Sequence, residues 1–114
     1  MYIAMNRFQV KAGAESAFET VWRSRESTLG RMDGFLEFHL LRGPQAGDHT
    51  LYATHTLWRD RAAFEAWTRS EEFRAAHARA GNGGGDSLYL GHPRFEGFEA
   101  ILTERGGEGA ADAA

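Results

Sequence analysis

The stretch "FLEFHLLRGPQAGDHTLYATHTLW", residues 35–58, decides the fold. Its first part, Phe35 to Arg42, and its last, His49 to Trp58, are rich in apolar, β-branched and aromatic residues, which suit a pleated, half-buried surface. Between them "GPQAGD" holds one of the chain's two prolines. That loop has hairpin length, so the two strands pair antiparallel. Strict alternation puts Phe35 and Leu41 on one face and Leu36, Phe38 and Leu40 on the other. A sheet built from such strands has two apolar faces to cover.

The rest of the chain is read outward from this hairpin. Upstream, "RMDG" is a turn with Asp-Gly as its signal. Before it, Phe18, Val21, Trp22, Arg25 and Leu29 follow helical spacing, which predicts a helix from about Ala14 to Leu29. Residues Tyr2 to Val10 alternate as a strand, with Tyr2, Ala4, Asn6, Phe8 and Val10 on one face. Downstream, Asp60 suits an N-cap for "RAAFEAW". Helical sequence then runs to about Ala80, where "GNGGGD" breaks it. "RFEGFEAIL", Arg94 to Leu102, closes the chain as a last strand. The order β-α-β-β-α-β is the ferredoxin-like α+β arrangement, with a four-stranded antiparallel sheet and its helices on one face. The other face is apolar and lacks a cover, which marks an interface. A homodimer with the two sheets packed together is therefore expected. One domain spans 1–103, and 104–114, small and polar, reads as a disordered tail.

Composition narrows the function. The chain has 114 residues, a formal net charge of -3, 42% hydrophobic and 25% charged residues, and no cysteine. There is no clustered basic face for nucleic acid. Thiolate metal sites and cysteine nucleophiles are excluded. No stretch approaches the roughly 20 apolar residues of a spanning helix, so membrane insertion is not expected. "MYIAMNRFQV" lacks the basic start and apolar run of a signal peptide, and a cytoplasmic location is the expectation.

Three residues attract chemistry. Asn6 is the one polar residue on the more apolar face of the first strand. A buried amide costs roughly 1–3 kcal/mol unless bonded. It either bonds to nearby backbone or projects as a donor into a pocket between sheet and helices. Trp67 and His77 lie ten residues apart in "EAWTRSEEFRAAH". On one continuous helix they are about 15 Å and roughly 80° apart. Core packing for Trp67 and a helix-end dipole contact for His77 are the plain alternatives. Ser70, followed by Glu71 and Glu72, is a helix-start signal. It predicts a break near Thr68–Ser70 that turns Trp67 and His77 toward one space. Alanines at 75, 76, 78 and 80 leave room for something flat.

Asn6 near the start of the first strand, Trp67 in "F-x-x-W-x-x-S-x-x-F" and His77 in "A-A-H" resemble the haem-degrading monooxygenases of the IsdG type. These belong to the antibiotic-biosynthesis-monooxygenase superfamily of dimeric α/β barrels. The resemblance covers about Tyr2 to Leu102 and is nearest to the HmuQ-like branch. It implies that His77 is the axial ligand of haem iron, that Asn6 is a distal hydrogen-bond donor, and that Trp67 presses on the porphyrin. Phe73 and Arg74 join them as haem-contacting residues. Haem is then substrate and cofactor, opened with O2 and electrons from a separate reductase, releasing iron. "ARAGNGGGDSLYLGHP", glycine-rich after His77, departs from the family pattern.

Other residues rank lower. His39 and His55 lie in strands without ligand-type partners at short spacing. No H-x-x-x-H or H-E-x-x-H occurs, against a zinc hydrolase. Met5 and Met32 suit packing. Arg74 and Arg79 flank His77 and suit either propionates or solvent. Three alternatives remain beside the haem-degrading enzyme: a haem carrier or sensor, a haem-independent oxygenase of quinol or aromatic substrates, and a structural barrel.

Overall fold

The alternation from Tyr2 onward forms the strand around which the domain is built. In the computed structural model, residues 1–25, 27–82 and 88–106 are described, 77–82 as backbone only. The elements are β1 (Tyr2–Lys11), α1 (Glu15–Ser24), a 3-10 turn (Leu29–Arg31), β2 (Phe35–Gln45), β3 (His49–Trp58), α2 (Arg61–Thr68), α3 (Glu71–Asn82) and β4 (Arg94–Glu99). The sheet order is β2-β3-β1-β4, antiparallel throughout. This is the ferredoxin-like α+β fold. Residues 83–87 of the glycine-rich connection and 107–114 of the expected tail lie outside the described residues. Among the described residues, no helix is long and apolar enough to cross a membrane.

One face of β1 is buried as its pattern requires: Tyr2, Ala4, Phe8 and Val10. They divide between two clusters. Tyr2 and Ala4 pack with Leu29, Trp58 and Ala63, joined by Phe64 and Trp67. Phe8 and Val10 pack with Phe18 and Tyr52, joined by Trp22 and Tyr89. The helices cover this face.

Four features differ from expectation, three of them element boundaries. The first helix stops at Ser24 rather than near Leu29, because Arg25 is extended (φ -77, ψ 145). The hydroxyls of Thr20 and Ser24 bond back to the carbonyls of Ser16 and Thr20, which weakens a helix end. Leu29 is still buried, through the 3-10 turn. The second strand runs on to Gln45, taking in Gly43 and Pro44 from the expected loop. β2 is an edge strand, where proline costs no ladder bond. The last strand ends at Glu99, short of Leu102, because its ladder runs out: Ala100 N–H donates to the Met1 carbonyl at 2.9 Å.

The fourth difference concerns faces. A register shift between Phe35 and Glu37 makes Leu36 a bulge. Phe35, Phe38 and Leu40 therefore share the helix-covered face, opposite Trp58, Thr56 and Thr54. Strict alternation had set Phe35 apart from Phe38 and Leu40. A bulged residue flips everything beyond it. The open face retains Ile3, Met5, Leu41, Leu57 and Phe98, with Leu41 and Phe98 41% and 47% exposed.

Candidate functional site

Asn6 lies where the two clusters part. Its row across the sheet is Phe95, Asn6, Thr54 and Leu40. Ala4 on one side belongs to the first cluster and Phe8 on the other to the second. Asn6 is half-buried. Among the described residues, no side-chain hydrogen bond engages its amide. The backbone bond that would make Asn6 a plain structural residue is not formed. A donor and an acceptor remain on the sheet floor, beside apolar walls.

Trp67 forms part of one wall. Its ring stacks on the fully buried Trp58 at 6.1 Å and 29°, and Phe73 meets it edge-on at 5.5 Å and 88°. Trp67 itself is half-buried, anchored on the core yet not consumed by it. Phe64, one turn earlier, stacks on Phe95 at 5.6 Å and 11°. Phe95 is the cross-strand neighbour of Asn6. Asn6 and Trp67 are thus linked through aromatic rings of one cluster, without touching.

The helix break falls at Ser70, as its residue type predicts. α2 ends at Thr68, with Arg69 and Ser70 N–H donating to the Ala66 and Trp67 carbonyls. Ser70 Oγ donates to the Trp67 carbonyl at 2.6 Å and accepts from Phe73 N–H at 3.1 Å. One hydroxyl closes α2 and caps α3. Asp60 caps α2 in the same way, accepting from Ala63 N–H at 2.8 Å. His77 lies on α3 by its backbone. Its imidazole, and the side chain of Arg79, lie outside the described residues. Phe73 is half-buried and Arg74 exposed.

Two constellations escaped the sequence reading. Glu19 of α1 is buried and accepts from the Tyr52 hydroxyl, and from Arg42 Nε and Nη2 at 3.0 and 2.7 Å. The Tyr52 bond chiefly, then Arg42, hold its carboxyl below the usual range against the opposing effect of burial. Burial and Glu19 push the Tyr52 hydroxyl up. These residues line a depression of about 420 Å3 with Glu15 and Thr50. A glutamate on a helix gives no sign of being buried until β2 and β3 are placed beside it. The second constellation is His39 opposite His55, paired by register rather than by short spacing. Another depression, about 590 Å3, is bordered by Arg7, Gln9, Leu51, His92 and Arg94. Neither depression includes Asn6 or Trp67. Among the described residues, no group of three histidine or carboxylate side chains is placed to hold a metal ion.

Known proteins share this fold. The sequence profile of antibiotic biosynthesis monooxygenase matches residues 1–79. The chain is 33% identical over 76 residues, 67% of its length and 70% of the relative's, to a mycobilin-producing heme oxygenase of Mycobacterium tuberculosis. The solved structure of the heme-degrader MhuD from that organism, with two hemes bound in its active site, matches with a TM-score of 0.69 and 30% identity, covering 92% of this chain and all of that one. SnoaB, a cofactor-independent oxygenase from Streptomyces nogalater, matches with a TM-score of 0.57 and 27% identity, over 90% of this chain and 94% of that one. By a match over well more than half its length, on the fold the structure shows, the chain belongs to the antibiotic biosynthesis monooxygenase family.

Proposed function

We propose that this protein is a haem-degrading monooxygenase that binds haem and opens its ring with O2 and electrons from a separate reductase, freeing iron. One observation carries the reading: the unengaged amide of Asn6 on the sheet floor, between two aromatic clusters. The similarity to a mycobacterial heme oxygenase supports it. So does the break at Ser70, which sets Trp67 and the His77-bearing helix on separate segments. The residue types suit haem: an imidazole on α3, a neutral amide and large aromatic walls.

Haem, when bound, supplies the iron and the ring on which oxygen chemistry occurs. The chain supplies the surroundings. His77 offers a neutral imidazole as iron ligand. Asn6 donates an N–H to the oxidant and has no acidic proton to lose at neutral pH. Trp67, braced by Trp58, presents a stiff face against the macrocycle. Phe73 backs Trp67, and Arg74 is free to meet a propionate. Two chains packed sheet to sheet form the active homodimer, working in the cytoplasm for iron acquisition.

Haemin titration tests this. The expected result is a Soret band that decays when reductant is added in air, with His77→Ala abolishing turnover and Asn6→Ala keeping haem while losing activity. A haem complex stable to reductant and air would make the protein a carrier or sensor. The similarity to SnoaB favours a second reading, oxidation of a quinol or aromatic substrate without haem. A flat haemin titration would favour that one.

A further inference from the structure

The open face of the sheet has a histidine pair at its middle. His39 on β2 and His55 on β3 stand opposite each other in the ladder, with ring centroids 5.8 Å apart. The row continues through Met5 on β1 to Glu96 on β4. Leu57, Ile3 and Phe98 flank it on one side, Leu41 and Ala53 on the other. Strands of 11, 10, 10 and 6 residues, about 4.8 Å apart, give a flat area of roughly 600 Å2. Side-chain relief brings that near the ~800 Å2 per partner of a standard interface. The face carries charges of both signs, from Arg7, Arg94, Glu37 and Glu96. Arg7 pairs with Glu96, and Glu37 meets His39 Nε2 at 2.9 Å. Such a face suits a second copy of itself better than a charged partner.

We propose that this face is a pH-gated self-association surface: a second copy of this chain docks sheet to sheet while His55 is neutral, and protonation of His55 opens the dimer. The inference rests on the dimer reading above. Closing the interface removes water from His55, which among the described residues has no carboxylate bonded to its ring, and a buried, unpaired imidazolium is costly. Two adjacent imidazolium rings also repel. The groups facing His55 on this side are His39 and Glu37 from β2, Arg7 from β1, and Glu96 and Arg94 from β4. Burial first, then His39, already hold His55 below the ordinary histidine value, with Glu37 acting against them. A histidine held low favours its neutral form. Docking that buries His55 further lowers it again, so its contribution to the dimer is present above the free subunit's value and is lost as pH falls through the docked one.

Sedimentation velocity at pH 7.5 and 5.5, on wild type and His55→Gln, tests it, with far-UV circular dichroism confirming folded protein at both pH values. With one His55 per copy, wild-type Kd should weaken at pH 5.5, by less than the roughly 100-fold that two histidines of ordinary value would give. His55→Gln should remain dimeric with little pH dependence, and His39→Gln should reduce the response. A wild-type Kd equal at both pH values, or full pH dependence in His55→Gln, overturns the gate and leaves the dimer standing. A monomer at pH 7.5 overturns the dimer reading and the gate together.

Discussion

At the residue scale, two side chains show how neighbours set behaviour that residue type alone does not. Glu19 is ionised below the usual range because Tyr52 and Arg42 favour its charged form. The stability this brings is present above the ordinary carboxylate value near 4.3 and is lost as pH falls through the lowered one. Glu19→Gln should lower the thermal midpoint at pH 7, and the gap to wild type should close as pH drops below about 4. A pH series of melting curves checks this. Gly97 is a matter of space. A Cβ there would lie 1.9 Å from the Tyr2 hydroxyl oxygen, and Tyr2 is buried against Phe64. Gly97→Ala should cost about 1–3 kcal/mol in urea unfolding, and adding Tyr2→Phe should recover part of it. Asn6 belongs to this scale too. Its oddness was legible as a polar residue in an apolar row. That its amide is unengaged among the described residues became visible only once its neighbours had positions.

At the element scale, legibility follows how local the cause is. Asp60 and Ser70 act on N–H groups three residues ahead, so both caps could be read from sequence. Ser70→Ala should cost about 1 kcal/mol through loss of the α3 cap, measured by chemical denaturation. If α3 holds a haem ligand, haemin affinity should fall as well. The early end of β4 goes with a longer-range contact. Beyond β4, Ala100 N–H meets the Met1 carbonyl, a contact with a residue remote in sequence. The Leu36 bulge is likewise a property of the β2–β3 pair. Its effect was to gather Phe35, Phe38 and Leu40 on one face, which alternation read from a single strand cannot show. The His39–His55 contact was missed for the same reason, since cross-strand neighbours are remote in sequence.

At the scale of the whole molecule, the order of elements was legible because each strand and helix carries its own period, and the hairpin at residues 35–58 left little choice of topology. If the open face is a dimer interface, unfolding should be a single transition whose midpoint rises with protein concentration. Leu41→Glu, on that face and 41% exposed, should abolish the concentration dependence while leaving far-UV circular dichroism unchanged. The direction in which the sheet can grow matters here. β2 is an outer strand, and such a strand invites another chain to add alongside it. Pro44 removes an N–H from that rim, and the register shifts at Leu36 and between Arg42 and Gln45 kink it. The rim is a poor template for lateral stacking. If two copies pair through the open face, a β2 rim of this kind disfavours open-ended, fibril-like growth along that side and leaves a closed pair.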